Sequence, residues 1–575
     1  MPTSKISALF VLILLSCPAL ALKETTIFLP AVVESDYGEE GVMATLTVNV
    51  RDGSGHVYVD TWPLAKIDTQ ASARISKEVA CETLFIDCSK YDFFYTIRSD
   101  AEIVGGPSGG AATTVATLAS LLDLEINNHV LITGTINPDG SIGPVSGILE
   151  KAQASSEKGY LFLVPEGQSI ITTAKEDPLD LGLYAKENLN LSVKEVGNIN
   201  QAFSYFTNYK IKDVNIKFRK TEGYQKVMDG FGVELINHSK ELREECLTKA
   251  KKSKIDYNLR EELLELCSKS PEEAEDEFKK KNYYSAASIA FSNSISYRHG
   301  IRMAEFLSSP DKKEYARDYL SSLKPADFTI DTNNIELFAI IEERYSEAEE
   351  NLDSGWKEYY SGEYSQSIYY GAYAEERLYT AELWNQHSEE FPVYVATSSE
   401  NLSSIATETI SDAYALLTYS SLLTVNSFST EADMLIERAR ESQKKGNYTT
   451  AIVLALKARA NAELASELAG KTDYTSLIEL HRKRALISIN QTSSILGQSY
   501  FEYAETLKGS NEVAAVTYYT YAEKLSKLNN LVNKSPATAK IVPLEYIEPV
   551  KCPMQRFLPG GLSISTLILF LIFMV

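Results

Sequence analysis

The chain has 575 residues, 44% hydrophobic and 23% charged, with a net charge of −22 at pH 7. That length exceeds a single hydrophobic core and suggests roughly two to four domains. So acidic a balance, with no long basic stripe, excludes wrapping of nucleic acid and identifies no substrate.

Residues 1–21, MPTSKISALFVLILLSCPALA, carry one lysine, an apolar run from Ala8 to Leu15 and an Ala19-Leu20-Ala21 ending. This is the layout of a secretory signal peptide cleaved after Ala21. A lipoprotein box at LLSC, with Cys17 acylated, is the rival, and Pro18 directly after it speaks against that.

From about Thr25 the pattern is mixed. GVMATLTVNV alternates at period two, RDGSGH turns at Asp52-Gly53, and VYVDT continues extended, which predicts a hairpin. YDFFYTI is a further strand. A glycine-rich turn then enters a helix over Ala111–Leu122, followed by the strand HVLITGTI, the turn NPDGSIG, and a helix over Gly147–Lys158. YLFLVP and LNLSVKEV are later strands, and INQAFSYFTN is a short helix. Strands alternating with helices give an α+β domain over 25–210.

Over 220–540 the strand signals stop and helical stretches take over. Four segments are alike: NYYSAASIAFSNS, GEYSQSIYYGAYAEERL, GNYTTAIVLALKARA and NEVAAVTYYTYAEKL, starting at 282, 362, 446 and 511. Their small residues at helical spacing resemble the second helix of tetratricopeptide hairpins. The 65 to 84 residues between them exceed that repeat and predict longer, irregular hairpins. Tyr284, Tyr364 and Tyr448 open three of these segments, either to fill helix interfaces or to contact peptide. After a linker over 541–558, residues 559–575 form a C-terminal transmembrane anchor, uncharged from Leu562 to Val575.

The cysteines after the leader are Cys81, Cys88, Cys246, Cys267 and Cys552, without a CxxC pair or Cys/His cluster, so no structural zinc is expected. In an exported chain Cys81–Cys88 would close a short loop and Cys246–Cys267 would staple neighbouring helices. Reduced thiols are the alternative.

Gly106-Pro107-Ser108-Gly109-Gly110 is the chemically informative turn. It is too apolar in its flanks for a linker, and it lacks the lysine of a phosphate loop. Gly470-Lys471-Thr472 is a second phosphate-loop candidate, but Ala465 stands where the leading glycine belongs and the surroundings read as helix. The turn fits G-x-S-x-G, yet a hydrolase triad needs a downstream histidine. His56 precedes the serine and His129 reads as a strand-edge residue. A lysine is left as the base for Ser108.

ITGTINPDGSIGPVSGILEKAQASSEKG supplies one: Lys151 lies 43 residues after Ser108. Together the GPSGG turn, Thr133-Gly134, the Gly140–Lys151 run and the Gly159–Pro165 strand resemble the proteolytic domain of the Lon family, whose peptidases use a Ser-Lys dyad. The resemblance implies Ser108 as nucleophile, Lys151 as general base and Thr133 as a hydrogen-bond partner of the lysine. Gly106 and Gly109 belong to the turn from which an oxyanion hole would form. Gly105 and Thr135 stand where family members carry acidic residues, and the ATPase module is absent.

The layout is similar to archaeal membrane-anchored Lon-type proteases without a motor. It implies an exported, ATP-independent serine endopeptidase acting on unfolded or flexible polypeptides, with the membrane as partner and no cofactor, metal, ATP or nucleic acid. A homo-oligomer is left open. A catalytically degenerate surface scaffold, or a chain that processes only itself, is the alternative.

Overall fold

Ala44, Leu46, Val48 and Val50 are buried while Thr45, Thr47 and Asn49 between them are not. This period-two pattern marks a strand with one covered face. The computed structural model describes residues 24–35, 38–171, 178–212, 216–324, 334–391 and 398–532. The signal peptide, the 541–558 linker and the C-terminal anchor fall outside these. Among the described residues no helix is long and apolar enough to cross a membrane.

β1 (Thr25–Ser35) pairs antiparallel with β2 (Gly38–Asp52). The expected hairpin between β2 and β3 (Val57–Ala65) does not form. After β3, α1 (Ile67–Leu84) leads to β4 (Tyr91–Val104), which inserts between them, giving the order β1-β2-β4-β3. β4 is antiparallel to β2 and parallel to β3. The Asp52-Gly53 turn therefore steps across two strand spacings, about 10 Å. Asp92 of β4 holds it open by accepting the N–H groups of Ser54 and His56 at 2.8 and 2.9 Å. A turn dipeptide marks a reversal of direction and not which strand lies alongside. The parallel return of β4 needs the helical crossover that α1 supplies.

α2 (Gly110–Leu121) is buried along nearly its whole circumference, as a helix of small and apolar residues must be. Its threonines are satisfied internally: Thr113, Thr114 and Thr117 donate to the carbonyls of Gly109, Gly110 and Thr113 at 2.8, 2.8 and 2.7 Å. The expected strand from His129 divides into β5 (Val130–Ile132) and β6 (Thr135–Ile136). The break falls at Gly134, where a Cβ would meet the Ile142 side chain at 2.4 Å. β7 (Ile142–Gly143) pairs with β6, and α3 (Ile148–Ser156) follows. β8 (Leu161–Pro165) is the centre of a parallel sheet with β5 and β11 (Ser192–Val196) on either side. Between β8 and β11 lie β9 (Ile170–Ile171), β10 (Leu179–Asp180) and α4 (Leu181–Asn188); α5 (Ile199–Thr207) ends the domain.

The rest is helical. α6 (Glu222–Lys252), α7 (Tyr257–Leu266), α8 (Glu272–Lys279) and α9 (Tyr283–Ser308) form a first group, with α6 against α9. α10 (Lys312–Ser322) precedes the hairpin of α11 (Ile335–Ser361) and α12 (Tyr364–Gln386). α13 (Ser399–Leu423) lies against the hairpin of α14 (Ser427–Lys444) and α15 (Tyr448–Glu467). α16 (Thr475–Thr492), α17 (Ile495–Leu507), α18 (Glu512–Ser526) and α19 (Leu528–Val532) complete the described chain, with α17 paired to α18. The four similar segments are thus the second helices α9, α12, α15 and α18. Tyr284, Tyr364 and Tyr448 are half-buried and pack against the helix cores. Both expected disulfides are present, Cys81–Cys88 and Cys246–Cys267.

The two regions share one hydrophobic core, joined by buried polar ties. Glu82 of α1 pairs with Arg484 at 2.9 Å and Lys524 at 2.8 Å, and all three side chains are nearly excluded from solvent. Arg459 pairs with Glu78 at 2.8 Å, and Arg484 also donates to the Pro138 carbonyl at 2.8 Å. Replacing Glu82 by alanine would leave two buried cations without their shared carboxylate. Urea denaturation of Glu82→Ala is expected to show a loss of about 3–5 kcal/mol; a loss under about 1 kcal/mol would contradict this assignment.

Candidate active site

The turn that carries Ser108 is built where β4 runs out and α2 begins. Gly106 has φ +96°, a conformation that side-chain-bearing residues rarely adopt. Pro107 then starts a single 3₁₀ turn over Pro107–Gly109, closed by the Gly110 N–H on the Pro107 carbonyl. Proline suits that first position because its φ is fixed and no N–H is wasted. A Cβ on Gly110 would lie 2.8 Å from the Ile136 side chain, so the turn can sit this close to β6 only with glycine there.

Ser108 is partly exposed. Its carbonyl accepts the Gly134 N–H at 3.0 Å and, more weakly, the Thr133 hydroxyl at 3.5 Å. Thr133 is buried and its own N–H bonds Leu163 of β8 at 3.1 Å. In this structure Thr133 contacts the serine's backbone, and Lys151 bonds the Ser146 carbonyl. The Thr133 hydroxyl reaches toward Ser108 because Thr133-Gly134 is the point where the strand leaves the β8 ladder and turns toward α2.

Lys151 is the fourth residue of α3 and only 4% exposed. Its Nζ donates to the Ser146 carbonyl at 2.9 Å, and no hydrogen bond joins it to Ser108. Burial lowers its pKa to about 8, against the opposing pull of Glu39 and Glu150. α3 packs on β1 and β2, and Ile148 and Ala152 on either side of the lysine belong to an apolar cluster with Phe28, Met43 and Leu149. Gly41 allows this approach, since a Cβ there would fall 2.0 Å from the Glu150 carbonyl oxygen.

β1 relates the two motifs. Leu29 lies 3.9 Å from where a Cβ on Gly109 would be, and Val32 lies 2.6 Å from the corresponding point on Gly147. Three residues of strand separate these contacts, about 10 Å. Leu29 and Val32, an odd number of residues apart, point to opposite sides of β1, so the serine turn and the lysine helix meet this strand from its two faces.

The two expected oxyanion glycines have different partners. The Gly106 N–H is committed: it donates to Asp68 Oδ2 at 3.0 Å. Gly109 is the residue preceding α2, with its carbonyl bonded by Thr113. Asp68, in the first turn of α1, is the functional candidate that sequence reading missed. It lies 38 residues before Gly106, and nothing in the local pattern links the two. Beside it, the alkyl chain of Lys66 covers Gly105, leaving 2.7 Å to a Cβ at that position. Thr135 is buried with its hydroxyl unpartnered.

The rejected alternatives stay apart from this site. His56 is bonded to Ser54, and His129 to the Lys158 carbonyl. Gly470-Lys471-Thr472 lies in the loop between α15 and α16, not within a helix, and Lys471 pairs with Asp139 at 3.0 Å. It is a tie between the two regions. Among the described residues no group of histidine, cysteine and carboxylate side chains could hold a metal ion.

No protein-family model matches the chain. It is similar to a Lon protease of Paraburkholderia phytofirmans, 33% identical over 97 residues, which are 16% of this chain and 12% of that protein. It is also similar to a mitochondrial Lon protease homolog of Bos taurus, 28% identical over 178 residues, 30% of this chain and 16% of the relative. An archaeal Lon protease of Methanocaldococcus jannaschii is 23% identical over 122 residues, 20% of this chain and 19% of the relative. The chain spans less than a fifth of the length of each, and over that part the likeness supports a Lon-type relationship.

Proposed function

We propose that the chain is a serine endopeptidase of the Lon type, working without ATP on unfolded or flexible polypeptides. Its leader and C-terminal segment would export it and hold it at a membrane. The observation that carries the reading is the buried lysine: an amine with a pKa lowered to about 8 is partly neutral at physiological pH, as a general base must be. Similarity to proteins named Lon protease supports peptide-bond hydrolysis as the reaction class.

In this reading a neutral Lys151 donates one N–H to the Ser146 carbonyl, which leaves its lone pair available to Ser108 Oγ. The hydroxyl attacks the scissile carbonyl while its proton passes to Nζ, and the lysine returns that proton to the departing amine. Water then cleaves the acyl-enzyme along the same route. The Ser108 N–H, at the unsatisfied start of the turn, is the donor for the oxyanion, because Pro107 has none and that of Gly106 is taken by Asp68.

Ser108→Ala and Lys151→Ala are each expected to lower cleavage of casein by the full-length chain at least about a thousandfold. Undiminished cleavage by either would overturn the dyad, and failure of wild-type Ser108 to react with a serine-directed phosphonate would favour a scaffold. The base must be neutral, so kcat/KM is expected to rise about tenfold per unit below pH 8 and to level off above it.

Stability moves with the same group. Below about pH 8 the ammonium is charged in both states and the folded state carries its desolvation; between 8 and 10.5 only the unfolded chain stays protonated, so stability rises. Lys151→Met is expected to gain on the order of 2 kcal/mol at pH 7 by urea denaturation, a gain that fades between about pH 8 and 10.5. No gain at pH 7 would contradict the desolvation of Lys151.

A further inference from the structure

The helical region does not seal against the whole of α1. Between α1 and α13 lie two cavities of about 490 and 170 Å³, and Ala71, Arg74, Ser411 and Ala415 line both. They form one groove. At its far end it reaches Gly55 and His56, in the β2–β3 turn beside the start of β4. At the other end it opens between Ile67 and Tyr414, which are 66% and 47% exposed. Ile67 is followed directly by Asp68, which holds Gly106, and preceded by Lys66, which covers Gly105. The groove therefore ends at the lip of the Ser108 turn.

The charges along its walls are already matched. Arg74 pairs with Asp412 at 3.2 Å, and Glu78 with Arg459 at 2.8 Å and Lys77 at 3.3 Å. Small side chains, Ala71, Ser411 and Ala415, leave the space open between them. Such walls demand no particular charge of an occupant and offer it hydroxyls and apolar surface. From Ile67 to Glu82 the groove follows α1 for about 22 Å at the helical rise. That length matches roughly seven residues of extended chain. A folded domain cannot enter it.

We infer that this groove is an exosite for an extended, unfolded segment of a polypeptide substrate, which runs between α1 and α13 and arrives at Ser108. The inference rests on the peptidase reading for its role and extends it: the helical region selects chains long enough to occupy the groove. Short peptides reach the turn without it.

Ser411 and Thr407 are exposed and line the groove, so a tryptophan at either position plugs it without entering the core. The test uses the full-length chain carrying Ser108→Ala and fluorescein-labelled, reduced and carboxymethylated α-lactalbumin, with binding read by anisotropy. Ser411→Trp is expected to weaken Kd at least fivefold, and Thr407→Trp to weaken it in the same direction. In chains that keep Ser108, Ser411→Trp is expected to leave the rate of phosphonate labelling within twofold of wild type. An unchanged Kd in both variants overturns the exosite. A parallel fall in binding and labelling places the effect at the turn and also overturns it as a separate site. Absence of labelling in the wild type strikes the nucleophile assignment alone, and the anisotropy measurement still decides the groove.

Discussion

The carboxylate of Glu82, enclosed by Arg484 and Lys524, fixes how the two halves of this molecule meet. Lys524 also reaches Glu463 at 2.9 Å and Glu523 at 3.2 Å, and Arg459 joins Glu78 to Glu463, so the contact is a network of alternating charges. Buried ion pairs add little net stability over apolar packing, because desolvation cancels most of the attraction. What they impose is uniqueness: any other docking of the helices on α1 would strand several charges away from water. α1 is consequently fixed on both faces, with the α+β region on one and the helical region on the other.

The same helices hold the segment that follows Thr133-Gly134. Tyr419, fully buried, donates to the Ile136 carbonyl at 2.8 Å and accepts the Ile136 N–H at 3.2 Å. Arg484 takes the Pro138 carbonyl and Lys471 the Asp139 carboxylate. Gly134 and Thr133 in turn bond the carbonyl of Ser108. Backbone support for the serine thus passes through β6 into α13 and α16, and the helical region is part of the frame of the site as well as a wall of the groove.

Local signals carried much of this architecture into the sequence. The GPSGG turn, the Gly140–Lys151 run and the small-residue helices each depend on neighbours in the chain, and each folds near where its pattern lies. The β2–β3 hairpin failed because Asp52-Gly53 specifies a reversal and is silent on β4, which arrives 38 residues later to fill the gap. Asp68 went unseen for the same reason, since its partner Gly106 is near only after α1 has crossed the sheet. The groove between α1 and α13 is invisible at that level, because its paired charges and its small residues come from segments that lie hundreds of positions apart in the chain.

The glycine at residue 105 takes on a meaning beside Asp68. An acidic side chain at residue 105 would need the space where the Lys66 stem lies, 2.7 Å from the Cβ position. With glycine there, the neighbouring N–H of Gly106 receives its carboxylate from α1 instead. A carboxylate delivered from a helix is held by that helix's own packing, and α1 is the element fastened most firmly, through Glu82 and Glu78, to the helical region. The geometry of the Ser108 turn is thereby coupled to the docking of the two halves, which a carboxylate carried on the turn itself would not achieve. On the lysine side Glu39 and Glu150 favour the ammonium, yet burial under β1 and β2 prevails and lowers the pKa of the amine to about 8. One half of the site is set by where a negative charge is brought in, and the other by how completely water is kept out.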